Sequence, residues 1–262
     1  MIASLSRMPG LGQQRSSLEM THRTHDRTCK LTDAHTRAEV AAAIARCGRN
    51  IPGVRFLPWV GSNYGKGDFV YNKRLLVLGV SHYEWCELCW ETGKKRAADL
   101  TCRCVAEHAI DGSKTIPHWH SIDGALTGRD LDQADRYRLW HKIAYYNYVQ
   151  QMVGFFPGGG RPPRATSAMY RNAQAPFREV LNLLSPDIVI VLGPTLWKKL
   201  PEEDGNLPTI EADGKSIERC FYKIGDKRIM ACCVLHPAAR FNGLGKGWFS
   251  ALRSTIMGTA PE

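Results

Sequence analysis

Three short polar segments of the chain each follow an apolar run and carry side chains suited to acid–base chemistry or to reading a nucleobase. The first segment, GVSHYE, contains Ser81, His82 and Glu84, the second contains Asn147, and the third begins at His236. Imidazole and carboxylate groups exchange protons near neutral pH. An asparagine amide offers both a donor and an acceptor. These residue types could together activate water and hold a heterocyclic base.

Continuous apolar runs place these segments at the ends of strands. Residues 75–80 (LLVLGV), 186–193 (PDIVIVLG) and 229–235 (IMACCVL) have the pattern of strands buried on both faces, and residues 143–149 (IAYYNYV) predict a fourth. The run at 229–235 follows a Gly-Asp turn, which allows it to pair with residues 221–224.

Helical patterns lie between the predicted strands. Residues 37–47 (RAEVAAAIARC) predict a short helix with Thr36 as its cap. A second helix has an apolar face formed by Phe177, Val180, Leu181 and Leu184. Alternating strands and helices indicate an α/β fold of three layers, αβα, around a mostly parallel sheet. Ligands of such sheets bind where the strands end, so the polar segments should meet there.

Composition narrows the class of protein. The 262 residues carry a formal net charge of +10, which suits a polyanionic partner such as a nucleic acid. Nine cysteines, an odd number, and the lack of a secretory signal predict a reducing, cytoplasmic location. No apolar run approaches the roughly 20 residues needed to span a membrane, and no obligate protein partner is indicated. We predict a flexible basic arm over residues 1–35 and one α/β domain over residues 36–262.

The motifs resemble those of the uracil-DNA glycosylase superfamily in order and spacing. Residues 145–149 (YYNYV), followed later by RPP, resemble the Thr-Asn-Val-Val strand and the Cys-Arg-Pro-Pro of its bacterial iron–sulfur branch. Residues 186–200 (PDIVIVLGPTLWKKL) resemble PKVIVALGRTAA, and residues 234–243 (VLHPAARFNG) resemble FHPAYLLRNP. Residues 77–84 (VLGVSHYE) stand in place of the first glycine-containing motif, so the likeness covers roughly residues 70–258.

The resemblance implies an enzyme that flips a nucleotide out of DNA and hydrolyses its N-glycosidic bond, with no cofactor required for the chemistry. It assigns to His236 the hydrogen bond that stabilises the departing base, and to Asn147 the reading of a pyrimidine edge. Gly79 and Tyr83 would also contact the base. Tyr83 aligns with a tyrosine that elsewhere excludes a methyl group at the 5-position.

The first motif departs from the family. Uracil enzymes have Gly-Gln-Asp-Pro-Tyr-His, whose aspartate position holds Ser81 here. The iron–sulfur branch has Gly-Glu-Ala-Pro-Gly, whose glutamate position holds Val80. Glu84 first, or else His82, would then direct the water or contact the sugar.

This change favours a modified base over plain uracil as the substrate. Relatives that remove hypermodified cytosines from phage DNA in antiviral defence suggest the type of base. The alternatives are uracil excision in base-excision repair, a DNA-binding member of the same fold that has lost catalysis, and an unrelated nucleotide-handling α/β enzyme.

Two glycine-containing segments carry candidate DNA contacts. The segment after the His-Pro pair lies where family members insert a loop into the minor groove, and its phenylalanine is a candidate wedge between bases. The segment GFFPGGGRPPR combines aromatic residues and arginines and could hold an unpaired strand. The residues predicted to contact DNA are Arg161, Arg164, Arg240, Phe241, Asn242 and Lys246.

Four cysteines with metal-like spacing lie in a segment inserted between the first two strands, at about residues 84–125. They are Cys86, Cys89, Cys102 and Cys104. Four thiolates favour a structural zinc ion. A [4Fe–4S] cluster is the rival, although the iron–sulfur branch places its cysteines elsewhere, and free thiols are the third alternative. His108, His118 and His120 of the same insert could contribute further ligands, although a His-Trp-His sequence is more typical of a polar surface loop.

Overall fold

The structure is a computed structural model that describes residues 34–47, 50–66, 72–84, 98–111, 117–156, 162–212, 214–236, 251–256 and 258. Most of the predicted arm, residues 1–33, lies outside these ranges. The described chain has a mixed α/β architecture, as the alternation of apolar runs and helical patterns predicted. No helix within these ranges is long and apolar enough to cross a membrane.

In the part of the chain that the structure describes, nine strands form two sheets. They are β1 (Trp59–Val60), β2 (Leu75–Gly79), β3 (His82–Glu84), β4 (Ala144–Asn147), β5 (Met152–Phe155), β6 (Ile188–Leu192), β7 (Gly205–Ala212), β8 (Lys215–Ile224) and β9 (Lys227–Val234). The larger sheet has the order β1-β4-β2-β6-β9-β8-β7, and β3 pairs with β5 in a separate parallel ladder.

The central strands β4, β2, β6 and β9 are parallel, but β1, β8 and β7 join the sheet antiparallel to their neighbours. The sheet is therefore mixed around a parallel centre, which refines the prediction of a mostly parallel sheet. The predicted pairing of residues 221–224 with the following run is confirmed, because β8 and β9 form a hairpin in which Phe221 faces Met230.

Seven helices surround the strands in the described ranges. They are α1 (Ala34–Cys47), α2 (Leu100–Cys104), which continues as the π-helix Val105–Ile110, α3 (Pro117–Thr127), α4 (Gln133–Trp140), α5 (Ser167–Asn172), α6 (Gln174–Leu184) and α7 (Pro194–Trp197). Residues 251–256 are also helical. Helix α1 begins at Ala34, before the predicted start, so Thr36 lies inside the helix and does not precede it.

Side chains of the central strands alternate between two cores. Leu75 and Val77 of β2 join the core covered by α2, α3, α4 and residues 251–256, whereas Leu76 and Leu78 join the core covered by α5, α6 and α7. Burial on both faces explains why these strands are continuously apolar in the sequence. The described helices and sheet thus form the layers of an αβα arrangement.

A single carboxylate fastens the amino ends of three parallel strands. Asp187, just before β6, accepts a hydrogen bond from the Arg74 backbone N–H before β2, at 2.8 Å. It also accepts one from Lys227 Nζ at the start of β9, at 2.7 Å. The carboxyl ends of the same strands lie at the opposite edge of the sheet.

Helices α3 and α4 are joined by a buried polar network. Asp123 Oδ2 accepts a hydrogen bond from Arg136 Nε at 2.9 Å, and Asp123 Oδ1 accepts one from Trp140 Nε1 at 2.9 Å. The two charged residues are only 2% and 9% exposed. The prediction of a polar surface loop for His-Trp-His is therefore wrong. Those residues belong to α3, because Trp119 and Ile122 lie on one helical face and pack into the core.

Candidate active site

The polar segments that follow β2, β4 and β9 emerge at one edge of the sheet. The chain enters the parallel region at β2, adds β4 on one side, and then crosses to add β6 and β9 on the other. Such a reversal of strand order opens a crevice beyond the strand ends, and this is where doubly wound sheets bind ligands. Gly79 is the register partner of Asn147, and the Gly193 N–H donates to Val234 O at 2.8 Å.

The Asn147 amide is the best-defined polar group at this edge. Its Nδ2 lies 3.1 Å from Nε2 and 3.3 Å from Nδ1 of His82. Its Oδ1 accepts a hydrogen bond from the Tyr145 hydroxyl at 3.3 Å. An asparagine amide has two N–H donors and two acceptor lone pairs. Asn147 can therefore offer a ligand one donor and one acceptor while both protein contacts hold its orientation.

Gly79 allows the Asn147 and Tyr145 side chains to cross over the end of β2. A Cβ atom at residue 79 would lie 2.3 Å from the Tyr145 hydroxyl oxygen and 2.5 Å from Asn147 Oδ1. Both distances are far inside van der Waals contact, so any larger residue must displace these side chains.

We expect Gly79→Ala to lower the free energy of unfolding by about 1–3 kcal/mol, because the added methyl group overpacks a buried site. Urea denaturation measures this change. Gly124→Ala in α3 is the matched control, since a Cβ there meets no atom within 4 Å. Alanine should be neutral or stabilising by up to about 1 kcal/mol at that helical position. Equal changes in the free energy of unfolding for the two substitutions would contradict the close approach of Tyr145 and Asn147 to Gly79.

His82 is held on several sides by the protein interior. It is 6% exposed, its Nε2 lies 2.9 Å from Thr101 Oγ1, and its ring meets the edge of Phe56 at a centroid distance of 5.0 Å. Burial, with a further contribution from the positive charge of Arg103, lowers the pKa of His82 to about 3. The ring is therefore neutral at physiological pH and can act as a hydrogen-bond acceptor or as a base.

Gln150 fixes the loop that carries Phe56. Its Oε1 accepts hydrogen bonds from the backbone N–H groups of Arg55 and Phe56, at 2.9 and 2.8 Å, and its Nε2 donates to Asn147 O at 2.6 Å. One buried side chain thereby connects the wall beside His82 to the end of β4.

The lowered pKa of His82 makes stability depend on pH. Below the unfolded-state pKa of about 6.5, the unfolded chain binds a proton that folded His82 does not. Stability contributed by this residue is therefore complete above that pH and decreases as the pH falls toward 3. Between pH 6 and 4 the free energy of unfolding should lose up to about 1.4 kcal/mol per pH unit from this group. Urea denaturation at several pH values measures this. For His82→Gln, the plot of the free energy of unfolding against pH should be less steep by this amount. An unchanged dependence on pH would contradict a neutral His82 in the folded protein.

His236 follows β9 and packs against the turn after β6. Gly193 at that turn has φ 105°, and a Cβ there would lie 3.2 Å from the His236 Cβ. Glycine is required at this position because an L side chain would be strained and would crowd the imidazole. Burial lowers the pKa of His236, so this ring is also neutral near pH 7. The ring of His118 lies beside it, with the two centroids 5.4 Å apart.

The remaining residues predicted on the first segment are Ser81, Tyr83 and Glu84. Ser81 Oγ is buried and has no hydrogen-bond partner among the residues that the structure describes. The Tyr83 ring lies 6.2 Å from that of Phe156, and the Phe156 N–H donates to the Glu84 backbone oxygen at 2.7 Å. The structure thus brings His82 beside Asn147 directly and places Glu84 two residues farther along β3. A role for Glu84 in directing the water stays a prediction.

The predicted thiolate site falls partly outside the described residues, because Cys86 and Cys89 are not among them. Cys102 and Cys104 lie two residues apart on α2, a spacing at which helical side chains do not face each other. The Cys102 thiol donates to Pro58 O at 3.5 Å, and burial raises the pKa of Cys104 to about 12. In the described part of the chain no group of three or more His, Cys, Asp or Glu residues could hold a metal ion. The zinc and [4Fe–4S] alternatives stay predictions.

Among the residues predicted to contact DNA, Arg164 is exposed just before α5. The others, Arg161, Arg240, Phe241, Asn242 and Lys246, lie outside the described residues.

The sequence did not identify four residues of this site, namely Phe56, Thr101, His118 and Gln150. No local sequence pattern distinguishes three of them. Phe56 and Thr101 contact His82, and Gln150 contacts Asn147, only because the fold brings distant parts of the chain together. The helical spacing of Trp119, Ile122 and Leu126 was a signal for α3, and it would have placed His118 at the start of that helix.

Comparison with known proteins adds no relative to this description. No protein-family model matches the chain, and no curated protein matches it.

Proposed function

We propose that this protein is a DNA glycosylase of the uracil-DNA glycosylase superfamily, which binds a flipped-out base at the carboxyl edge of the sheet and hydrolyses its N-glycosidic bond. One observation carries the proposal. The Asn147 amide ends β4, and the neutral imidazole of His82, three residues after β2, lies 3.1 Å from it; the neutral imidazole of His236 follows β9 at the same carboxyl edge of the sheet. This is the combination of groups that base recognition and departure of an anionic base require.

Asn147 would recognise the Watson–Crick edge of the base. The Tyr145 hydroxyl donates to its Oδ1, and His82 lies beside its Nδ2, so the amide presents its donor and acceptor in a fixed orientation. A preorganised amide costs little entropy to align when the base enters.

His236 would stabilise the base as it leaves. When the glycosidic bond breaks, its electron pair goes to the base, and a base oxygen gains negative charge. A hydrogen bond from a positioned imidazole N–H becomes stronger as that charge develops, so it lowers the barrier more than it strengthens binding of the substrate. The partial burial of His236 supports this role, because the hydrogen bond is stronger away from water.

Water activation would fall to groups at the end of β2. A neutral His82 can accept a proton as the water oxygen bonds to C1′ of the sugar, and Thr101 fixes the ring beside it. Ser81 Oγ, at the position of the family's aspartate, is a buried hydroxyl that could hold this water. The replacement of the usual carboxylate supports a modified base, such as a hypermodified cytosine of phage DNA, as the substrate.

The bulk properties agree with this proposal. A net charge of +10 favours DNA, because each phosphate neutralised releases counterions. The described cysteines, including Cys47, Cys102 and Cys220, are free thiols, and we place the enzyme in the cytoplasm, where thiols stay reduced.

Mass spectrometry of the bases liberated from several phage and bacterial genomes, beside a synthetic duplex that contains uracil, tests the proposal. We expect release of a modified base by the wild-type protein and loss of that release in His236→Ala. Rapid release of uracil alone would instead indicate base-excision repair. Tight DNA binding with no abasic product from any substrate would overturn the enzymatic assignment and favour a binding protein.

A further inference from the structure

We infer that His118 is a second functional histidine, a positioning residue that holds the imidazole of His236 in the orientation needed to stabilise the departing base. This inference rests on the function proposed above. It adds a residue from the segment inserted between β2 and β4, where the resemblance assigns no part of the site.

His118 lies in the first turn of α3, and its ring packs on that of His236 at a centroid distance of 5.4 Å and an interplanar angle of 35°. Gly193 also borders His236, since a Cβ there would lie 3.2 Å from the His236 Cβ. His236 is therefore contacted both by the turn after β6 and by the ring of His118.

The same helical turn also supports the base-reading residue. Trp119 packs against Tyr145 at a centroid distance of 5.0 Å, and the Tyr145 hydroxyl donates to Asn147. Two adjacent residues of α3 thus support the two sides of the proposed site. His118 contacts His236 directly, and Trp119 contacts Tyr145, which in turn contacts Asn147. This arrangement links the orientation of the two side chains that would grip the base.

Helix α3 is rigidly placed. The buried hydrogen bonds from Arg136 and Trp140 to Asp123 anchor it one turn after His118. A positioning residue is effective only when its own support is fixed.

The electrostatics agree with the packing. Burial, with a contribution from the neighbouring His236, lowers the pKa of His118 to about 3. Burial lowers the pKa of His236 as well, so its ring is neutral near pH 7 and donates a hydrogen bond without first carrying a charge.

Three variants of the full-length protein test this role. His118→Ala removes the packing surface, His118→Phe keeps an aromatic surface without nitrogen atoms, and His236→Ala removes the proposed donor. Each is compared with wild type by the dissociation constant for duplex DNA, the single-turnover rate of base release, and the ¹⁵N chemical shifts of the His236 ring at neutral pH. Those shifts report the tautomer and the environment of the ring.

We expect His118→Ala to slow base release by about 10-fold or more, while the dissociation constant changes by less than about threefold. The His236 ¹⁵N shifts should move toward those of an imidazole that exchanges tautomers freely. His118→Phe should recover most of the rate and the wild-type shifts.

Base release at the wild-type rate by His118→Ala would overturn the inference, as would a loss fully explained by weaker DNA binding. Failure of the folded His118→Phe variant to recover the rate would also overturn it, because ring packing would then not be the cause. If wild type releases no base from any DNA, the proposed function fails, and the ¹⁵N shifts alone decide whether His118 holds His236.

Discussion

Single-turnover release of the accepted base should fall by about 10²–10³-fold when Asn147 is replaced by Asp. The carboxylate has almost the same shape as the amide, but it cannot donate a hydrogen bond. It also places a negative charge beside a base that becomes negative as it leaves. Quench-flow measurement of abasic product under enzyme excess reports this rate without interference from product release.

The exposed Asn182 on α6 provides the matched control for this substitution. Asn182→Asp should release base at the wild-type rate, because it changes the net charge equally but lies outside the proposed site. Equal urea denaturation midpoints would show that both variants are folded. An Asn147→Asp protein that keeps more than about a third of the wild-type rate would exclude Asn147 from base recognition.

Arg136→Met should reduce the free energy of unfolding by about 3–5 kcal/mol, the largest effect on stability that we expect. Arg136 Nε donates to Asp123 Oδ2 at 2.9 Å, and both side chains are buried. Removal of the guanidinium leaves the Asp123 carboxylate with the Trp140 hydrogen bond and with His120 Nδ1 at 4.0 Å, in a setting where burial already raises its pKa. Urea denaturation at pH 7 measures the loss.

Arg138→Met on the same helix is the control for this prediction. Arg138 pairs with Asp135 at 3.4 Å, but its side chain is 67% exposed. Water and salt screen such pairs, so the expected cost is below about 1 kcal/mol. Similar losses in the two variants would show that the Asp123 network does not anchor α3.

Much of the sheet could be predicted because its central strands are buried on both faces. Strands β2 and β6, and β9 after its first two residues, are apolar without interruption. A short apolar run bounded by turn residues is typical of a strand buried on both faces. The antiparallel edge was only partly predicted. Strand β7 (GNLPTIEA) has exposed polar positions and a proline, so neither its apolar content nor its periodicity distinguishes it from a loop.

The position of Asn147 and His236 at strand ends could be predicted, because both residues follow apolar runs. The contacts of His82 could not be read from the sequence, because Thr101 approaches it from α2 and Phe56 from the loop before β1. Which residue of β3 turns toward Asn147 depends on the pairing of β3 with β5, and that pairing contains an irregularity in its register. Local pattern carries no information on any of these long-range placements.

The carboxylate of Asp187 has a consequence for how this protein could evolve. It secures β2, β6 and β9, three of the four central strands, at the edge of the sheet away from the segments that hold Ser81, Asn147 and His236. Insertions or replacements in those segments therefore do not disturb the anchor that keeps the strands aligned. Selection for a new substrate can therefore act on the carboxyl edge of the sheet while Asp187 at the amino edge keeps the strands aligned. Libraries of variants in the segments at the carboxyl edge should yield a high fraction of folded proteins.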